Sequence, residues 1–184
     1  VLFRSTRLAY EAHHAQGLYK GQKPGQIVGW MSVKPIYMQV VVKADSEIKS
    51  LSDLKGKRVG MGQPGGTSML DADLLMSTVG LTPGQDFKEF RVKLPTMVDM
   101  LGDNQLDALI WSGTPPMPPV IKLKSQHKVR FLDIPRDVSA KIMKVSPAYT
   151  GGDLKANVYA DQPNEVKSYM LGNVLLIRSD VPED

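Results

Sequence analysis

Residues 36–43 read Ile-Tyr-Met-Gln-Val-Val-Val-Lys, a near-continuous apolar run rich in β-branched residues. Such a strand hides both of its faces, so the chain must lay other structure on each side of it. A second run of this kind spans residues 171–179. Between them, segments of strand and helix character alternate. Helical spacing is expected over 6–18 (Leu8, Ala9, Ala12, Leu18), 96–104 (Met97, Met100, Leu101 inward), 120–127 and 137–145. Strands are expected at 26–31, 58–61, 106–111 and 129–134, with a short helical turn at 50–55. The alternation predicts an α/β fold with a mainly parallel sheet, and the long strands at either end of the array suggest a lobe entered and left through paired connections. No internal repeat is visible.

The composition narrows the function classes. With 184 residues, 42% apolar and 23% charged, the chain is an ordinary globular protein. It has no apolar run of the ~18 residues that a membrane helix needs. The net charge of +4 is modest, and Lys122, Lys124, Lys128 and Arg130 gather without an interleaved aromatic, so a solvated helix face is expected and nucleic acid is not an expected partner. Cysteine is absent, which removes disulfides and thiolate chemistry and leaves the compartment open. Both ends read as internal: Val1 leads directly into a mid-helix pattern, and the segment after Ser179 reads as a helix about to start.

One loop stands out. From Gly60 the register is G-x-x-x-x-G-G-T, a phosphate-binding loop with Gly66 where Lys belongs. The loop 62–66 opens a helix with Met69, Leu70, Leu74 and Leu75 on one side, Ser68 and Asp71 as a capping pair, and Gly80 as its stop. Pro64, Gly65 and Gly66 let a ligand approach the main chain, and Thr67 and Ser68 add hydroxyls. A helix N-terminus carries about half a positive charge. Without the lysine, a small anion such as a carboxylate suits it better than a triphosphate. A glycine turn capped by its own hydroxyls is the alternative.

A second loop, Ser112, Gly113, Thr114 and Pro115, follows the next strand, with four prolines between 115 and 119 ending the ladder. Open parallel sheets bind ligands beyond their strand ends, which would put both loops on one edge. A plain exit loop is the other reading. Tyr37 and Tyr149 are candidates to close over a ligand, or half-buried packing residues. No metal site is expected, because His13 and His14 point about 100° apart on a helix and His127 stands alone. No catalytic residue is expected either: Ser112 lacks a nucleophile-elbow setting, and no cofactor motif is present.

The stretch Glu47-Ile-Lys-Ser-Leu-Ser-Asp-Leu-Lys-Gly-Lys-Arg-Val-Gly-Met-Gly62 resembles a segment shared by type II periplasmic solute-binding proteins. Gln63-Pro-Gly-Gly-Thr, Val79-Gly-Leu-Thr, Met100-Leu-Gly-Asp-Asn-Gln-Leu-Asp-Ala-Leu and Gly113-Thr-Pro are similar to the TAXI branch, the receptors of tripartite ATP-independent periplasmic (TRAP) transporters. Ala9-Tyr-Glu-Ala-His-His-Ala-Gln-Gly and Pro147-Ala-Tyr-Thr-Gly-Gly-Asp fit the same branch. The resemblance implies a periplasmic-binding-protein fold of two α/β lobes, with 1–39 ending the opening segment of lobe I, 40–172 forming lobe II and 173–184 returning to lobe I. It implies a monomeric extracytoplasmic receptor that takes a small organic anion, a dicarboxylate or an acidic amino acid such as glutamate, to TRAP permease subunits. Residues 65–67 would receive the carboxylate, and residues 112–115 with Tyr149 would line the same wall. The family loop carries a serine between its glycines that is missing here, and Ser68 is the residue that would replace it. The competing classes are an enzyme on the same architecture (a transferase or thiamine-precursor synthase) and the effector-sensing domain of a transcription regulator.

Overall fold

The computed structural model of the chain describes residues 2–23 and 27–178. Its elements are β1 (Leu2–Ser5), α1 (Thr6–His13), β2 (Ile27–Lys43), β3 (Arg58–Gly60), α2 (Thr67–Thr78), β4 (Lys88–Phe90), α3 (Leu94–Gly102), β5 (Ala108–Gly113), α4 (Pro118–Gln126), β6 (Val129–Phe131), α5 (Arg136–Val145), β7 (Tyr149–Gly151) and β8 (Tyr169–Arg178). Residues 26 and 179, expected at strand ends, lie outside the described residues. The two strands expected at 26–31 and 36–43 are one 17-residue strand, β2. Three short strands, β1, β4 and β7, carry too few residues to show a period, and the sequence gives no sign of them.

The strands form one mixed sheet in the order β1-β8-β2-β5-β3-β4, with β6 added to β2 and β7 to β8. The expectation of a mainly parallel sheet is corrected: only β3–β4 and β3–β5 are parallel, and every pairing of β2 and β8 is antiparallel. The physical reason lies in the connections. Helices α2 and α3 cross between β3, β4 and β5 and hold those strands parallel, whereas β2 meets β5 and β8 only after long intervening stretches of chain that bring those strands back antiparallel to it. The inner half of β2 pairs with β5, Tyr37 opposite Gly113 through Val42 opposite Ala108. Its outer half pairs with β8 alone, with register shifts between Gly29 and Met31 and between Val33 and Ile36.

The alternation along β2 divides two cores. Met38, Val40 and Val42 join α2 (Ala72, Leu75, Met76), α5 (Val138, Ile142), Tyr149 and Tyr169 on one face. Val41 joins α3 (Leu94, Met97, Val98, Leu101), α4 (Val120, Leu123) and Tyr159 on the other. The doubly covered strand predicted from its apolar run is thus the wall between two helical layers. Pro118 and Pro119 occupy the first positions of α4, where a missing N–H costs nothing. The basic cluster is dispersed: Lys122 pairs with Asp99 at 2.9 Å, and Arg130 donates to the carbonyls of Ser46 and Ile48.

The start of β5 is tied to β3 by one carboxylate. Asp107 accepts the Arg58 backbone N–H at 2.7 Å and the Arg58 side chain at 2.7 and 3.1 Å, and this guanidinium holds the Asp107 carboxyl below the usual range. A depressed carboxyl contributes stability above its unfolded pKa of about 4, and that contribution disappears as pH falls through the folded value. Asp107→Asn is therefore expected to lower stability at pH 7 and to flatten its decline below about pH 4, as read from urea unfolding at both pH values.

Candidate functional site

Because β3 and β5 are parallel neighbours, with Val59 opposite Ala108 and Gly60 opposite Leu109, the loops that leave their carboxyl ends emerge on one edge. The first loop is Pro64, Gly65, Gly66 and the start of α2. Gly65 has φ +77°, in the left-handed region, and a Cβ built there meets nothing within 4 Å, so the turn stands open. Gly66 is the N-cap of α2 at φ −90° and ψ 149°, and its own N–H goes back to the Gln63 carbonyl at 3.2 Å. The N–H groups of Thr67 and Ser68, in the first turn of a 12-residue helix, have no intrahelical acceptor.

Beneath the loop lies a buried charge. The expected capping pair of Ser68 and Asp71 is corrected: no side chain caps α2, and both residues face inward in the row Ser68, Asp71, Ala72, Leu75, Met76. The helix is rotated from the expected Met69, Leu70, Leu74, Leu75 face, of which only Leu75 is buried, because the row that reaches polar partners also reaches the sheet. Asp71 is 0% exposed. One carboxylate oxygen accepts the Ser112 hydroxyl at 2.7 Å. The other accepts the Tyr149 hydroxyl at 2.8 Å and Arg7 Nη1 at 3.2 Å. Arg7 Nη1 also donates to the Tyr149 oxygen at 2.7 Å, and Arg7 Nε donates to Glu11 at 2.9 Å. Burial pushes the Asp71 carboxyl above its ordinary range, and the bonds from Ser112, Tyr149 and Arg7 oppose that rise. Burial and the neighbouring Asp71 likewise push the Tyr149 phenol up, so it stays a donor.

The second loop is held from three sides. Ser68 Oγ donates to the Ser112 carbonyl at 2.9 Å, and Ser112 Oγ lies 3.1 Å from Ser68 Oγ. Gln39 Nε2 donates to the Gly113 carbonyl at 3.3 Å, and Gln39 Oε1 accepts the Tyr159 hydroxyl at 2.8 Å. That hydroxyl accepts the Met117 N–H at 3.1 Å, and burial raises its pKa to about 12. Gly113 fits close to its neighbours: a Cβ there would lie 2.4 Å from the Met117 sulfur.

Of the residues singled out from sequence, Ser68, Ser112 and Tyr149 meet around Asp71, with their hydroxyls turned inward, and Pro64, Gly65, Gly66 and Thr67 form the open turn above them. Gly113 continues from Ser112. Tyr37 and Pro115 are not brought to Asp71; with Leu154 and Val158 they line a separate cavity of about 200 Å³, and Leu154 and Val158 belong to the core on the other face of the sheet. Sequence reasoning missed Arg7, Gln39 and Tyr159, and gave Asp71 the wrong role. A signal existed for Asp71 and Arg7: an acid in the row of Ala72, Leu75 and Met76, and an arginine four residues before Glu11. Among the described residues no cluster of His, Cys, Asp and Glu is arranged to hold a metal ion, and no helix is long and apolar enough to cross a membrane.

Comparison with known proteins gives this architecture a context. The model of a family described as NMT1-like matches residues 3–184. A TctC solute-binding protein from Polaromonas aligns over 98% of this chain and 58% of its own, at 14% identity and a TM-score of 0.56. A periplasmic sulfonate-binding protein, SsuA, from Methylobacillus flagellatus KT aligns over 97% and 42%, at 18% identity and a TM-score of 0.51. The periplasmic aliphatic sulphonate binding protein SsuA from Escherichia coli aligns over 92% and 46%, at 17% identity and a TM-score of 0.50. The chain spans about half the length of these structures. The likeness is one of fold: the mixed α/β sheet is that of periplasmic-binding-protein-like structures, as the sequence resemblance implied.

The hydroxyl of Tyr149 serves the buried Asp71 carboxylate and the half-buried Arg7 guanidinium at once. Tyr149→Phe is expected to destabilise the chain by about 1–3 kcal/mol, since it removes a donor from a buried carboxylate without removing the charge. Denaturant unfolding at pH 7 measures this.

Proposed function

The chain belongs to the NMT1-like family, and from that membership we propose that it is a part, about half, of an extracytoplasmic solute receptor without catalytic activity. The observation that carries the reading is the open glycine turn at the start of α2, placed on the same sheet edge as the loop after β5. On this reading residues 40–172 form lobe II, residues 1–39 and 173–184 belong to lobe I, and the paired strands β2 and β8 are the connections between lobes. The solute lies between the lobes, with a carboxylate at the turn 65–68, on the N–H groups of Thr67 and Ser68 that have no acceptor within the helix. Ser68 and Ser112 brace the two loops from below and Gly113 borders them, while the cavity at Tyr37 and Pro115 takes a more distant part of the solute.

The solute class that suits the turn is a small organic anion, a dicarboxylate or an acidic amino acid such as glutamate. Unpaired N–H groups and the helix dipole favour a single carboxylate, and no lysine stands in the turn to neutralise more charge. The motifs shared with the TAXI branch support delivery to TRAP permease subunits in the cell envelope, with the receptor acting as a monomer and needing no cofactor. An enzyme reading is disfavoured by the same geometry. The acid nearest the loops, Asp71, is fully buried and already accepts three donors, which leaves it poorly placed to move a proton in a solute.

Gly66→Val tests the turn. Valine accepts the backbone angles of Gly66, and its Cβ would stand 3.2 Å from the Gln63 carbonyl, so the helix survives while the approach to the N–H groups is blocked. In the full-length protein, L-glutamate or succinate at about 100 times its dissociation constant should raise stability by about 2.7 kcal/mol, seen as a thermal shift of several degrees. The Gly66→Val protein should lose that shift and keep its unliganded melting temperature within a few degrees. A variant that retains the full shift would exclude this turn as the anion site.

A further inference from the structure

Three walls enclose the cavity at Tyr37 and Pro115, and each is held by hydrogen bonds. Strand β2 supplies Lys34 and Tyr37, the loop after β5 supplies Thr114 and Pro115, and the segment 154–158 supplies Leu154 and Lys155. Thr114 Oγ1 donates to the Lys34 carbonyl at 3.5 Å, and Gln162 Nε2 donates to the Lys155 carbonyl at 3.0 Å. Tyr159 ties the third wall to β2 through Gln39 and to the loop through Met117. Tyr37 lies opposite Gly113 at the end of β5, which puts the cavity level with the sheet edge where the glycine turn stands. Ser112 accepts the Ser68 hydroxyl, and Thr114 follows two residues later. At about 3.3 Å per residue, the turn and the cavity lie roughly 7 Å apart along this edge.

The charge in the wall of this cavity has one sign. Lys34 and Lys155 contribute cations, and no carboxylate joins them. Three other cavities among the described residues mix both signs, with Lys57 and Asp107 in one, Lys88 and Glu89 in the second, and Arg130 and Asp161 in the third. The rest of the wall at the sheet edge is largely apolar, from Pro35, Pro115, Leu154 and Val158. A carbon chain can lie against these residues while a terminal anion reaches the lysines. Lys155 already donates to Glu165 at 2.6 Å. That pair is exposed and worth little, and an ammonium has two further donors to give. Lys34 is the cation better able to turn to a second anion. The volume of about 200 Å³ holds roughly six water-sized groups, enough for a carboxylate and a few methylenes.

We propose that Lys34, assisted by Lys155, forms a second anion subsite and determines specificity: the solute is a diacid of about six carbons that carries no amino group. This rests on the receptor reading above and narrows its solute class. The length follows from the spacing. Three C–C bonds of about 1.5 Å let succinate span at most about 4 Å, whereas five let adipate span about 6 Å. One carboxylate of the longer acid can sit on Thr67 and Ser68 while the other meets Lys34. The missing amino group follows from the charges. Asp71, the acid nearest the turn, is 0% exposed and accepts three donors, so it has nothing to offer an ammonium. The cavity wall offers one only two like charges.

Calorimetric titration of the full-length protein at low ionic strength tests this with adipate, with hexanoate, which has the same length and a single charge, and with L-2-aminoadipate, which adds only the ammonium. Adipate should bind about 10-fold or more tighter than either. Its advantage over hexanoate should shrink as salt is added, because both lysines are exposed. Lys34→Met, which keeps the aliphatic stem, should cut that advantage to about threefold, and Lys34→Met with Lys155→Met should remove it. Lys34→Arg should retain most of it. An adipate-to-hexanoate ratio near one in the parent, or unchanged in the double variant, overturns the subsite, and so does a failure of adipate to bind. L-2-aminoadipate that binds as tightly as adipate overturns the solute class. The glycine turn gives a separate result, since Gly66→Val should weaken both monoacid and diacid alike. If it weakens neither while the Lys34-dependent ratio persists, the turn fails and the subsite stands; if it weakens both while the ratio is flat, the subsite fails and the turn stands.

Discussion

A carboxylate with no exposure to water is the constraint around which this edge of the protein is organised. An isolated buried charge costs several kcal/mol, so Asp71 must be surrounded by donors. The chain draws them from three other elements: Ser112 from the end of β5, Tyr149 from β7 and Arg7 from α1. Each of those donors then fixes something else. Ser112 fixes the loop after β5 relative to α2 through its contacts with Ser68, and Tyr149 places β7 against the helix layer. The glycine turn can remain open to solvent because the helix below it is anchored by these bonds and by Leu75 and Met76 in the core.

The second loop shows the same logic with neutral groups. Gln39 is the one polar residue in the inner stretch 36–42 of β2, and it is 3% exposed. Its amide meets Gly113 on one side and Tyr159 on the other, and Tyr159 in turn meets Met117. Both loops are thus supported by buried polar chains in which every bond has a defined direction. Such chains give fixed geometry where apolar packing alone would allow sliding.

Much of the layered architecture was legible in the sequence. The run at 36–43, the periodic helices and the proline cluster marked the elements, and the glycine turn with the following loop marked the sheet edge. What could not be read has physical causes. Three-residue strands such as β4 and β7 form because neighbours complete their hydrogen bonds, and so few residues carry no period of their own. Strand direction depends on which strands pair, and β2 finds β8 across more than a hundred residues, so periodicity alone suggested a parallel sheet. The role of Asp71 was hidden because its position three residues after Ser68 also fits a cap. Only the Arg7, Ser112 and Tyr149 partners, distant in sequence, distinguish the two. Tyr37 and Tyr149 looked equivalent as aromatic candidates, yet the sheet separates them, since the faces of β2 and β8 are set by pairing.

Strand β2 runs unbroken from the outer ribbon into the central wall, and this continuity has an evolutionary consequence. Side chains along a strand alternate between faces, so losing or gaining one residue on either side of Pro35 would turn each side chain of the outer ribbon to the opposite face while Met38, Val40 and Val42 kept their places. Surface loops elsewhere in the molecule can lengthen or shorten with little penalty. Around residues 33–36, length itself should be under selection, even where the identity of the side chains is free to drift.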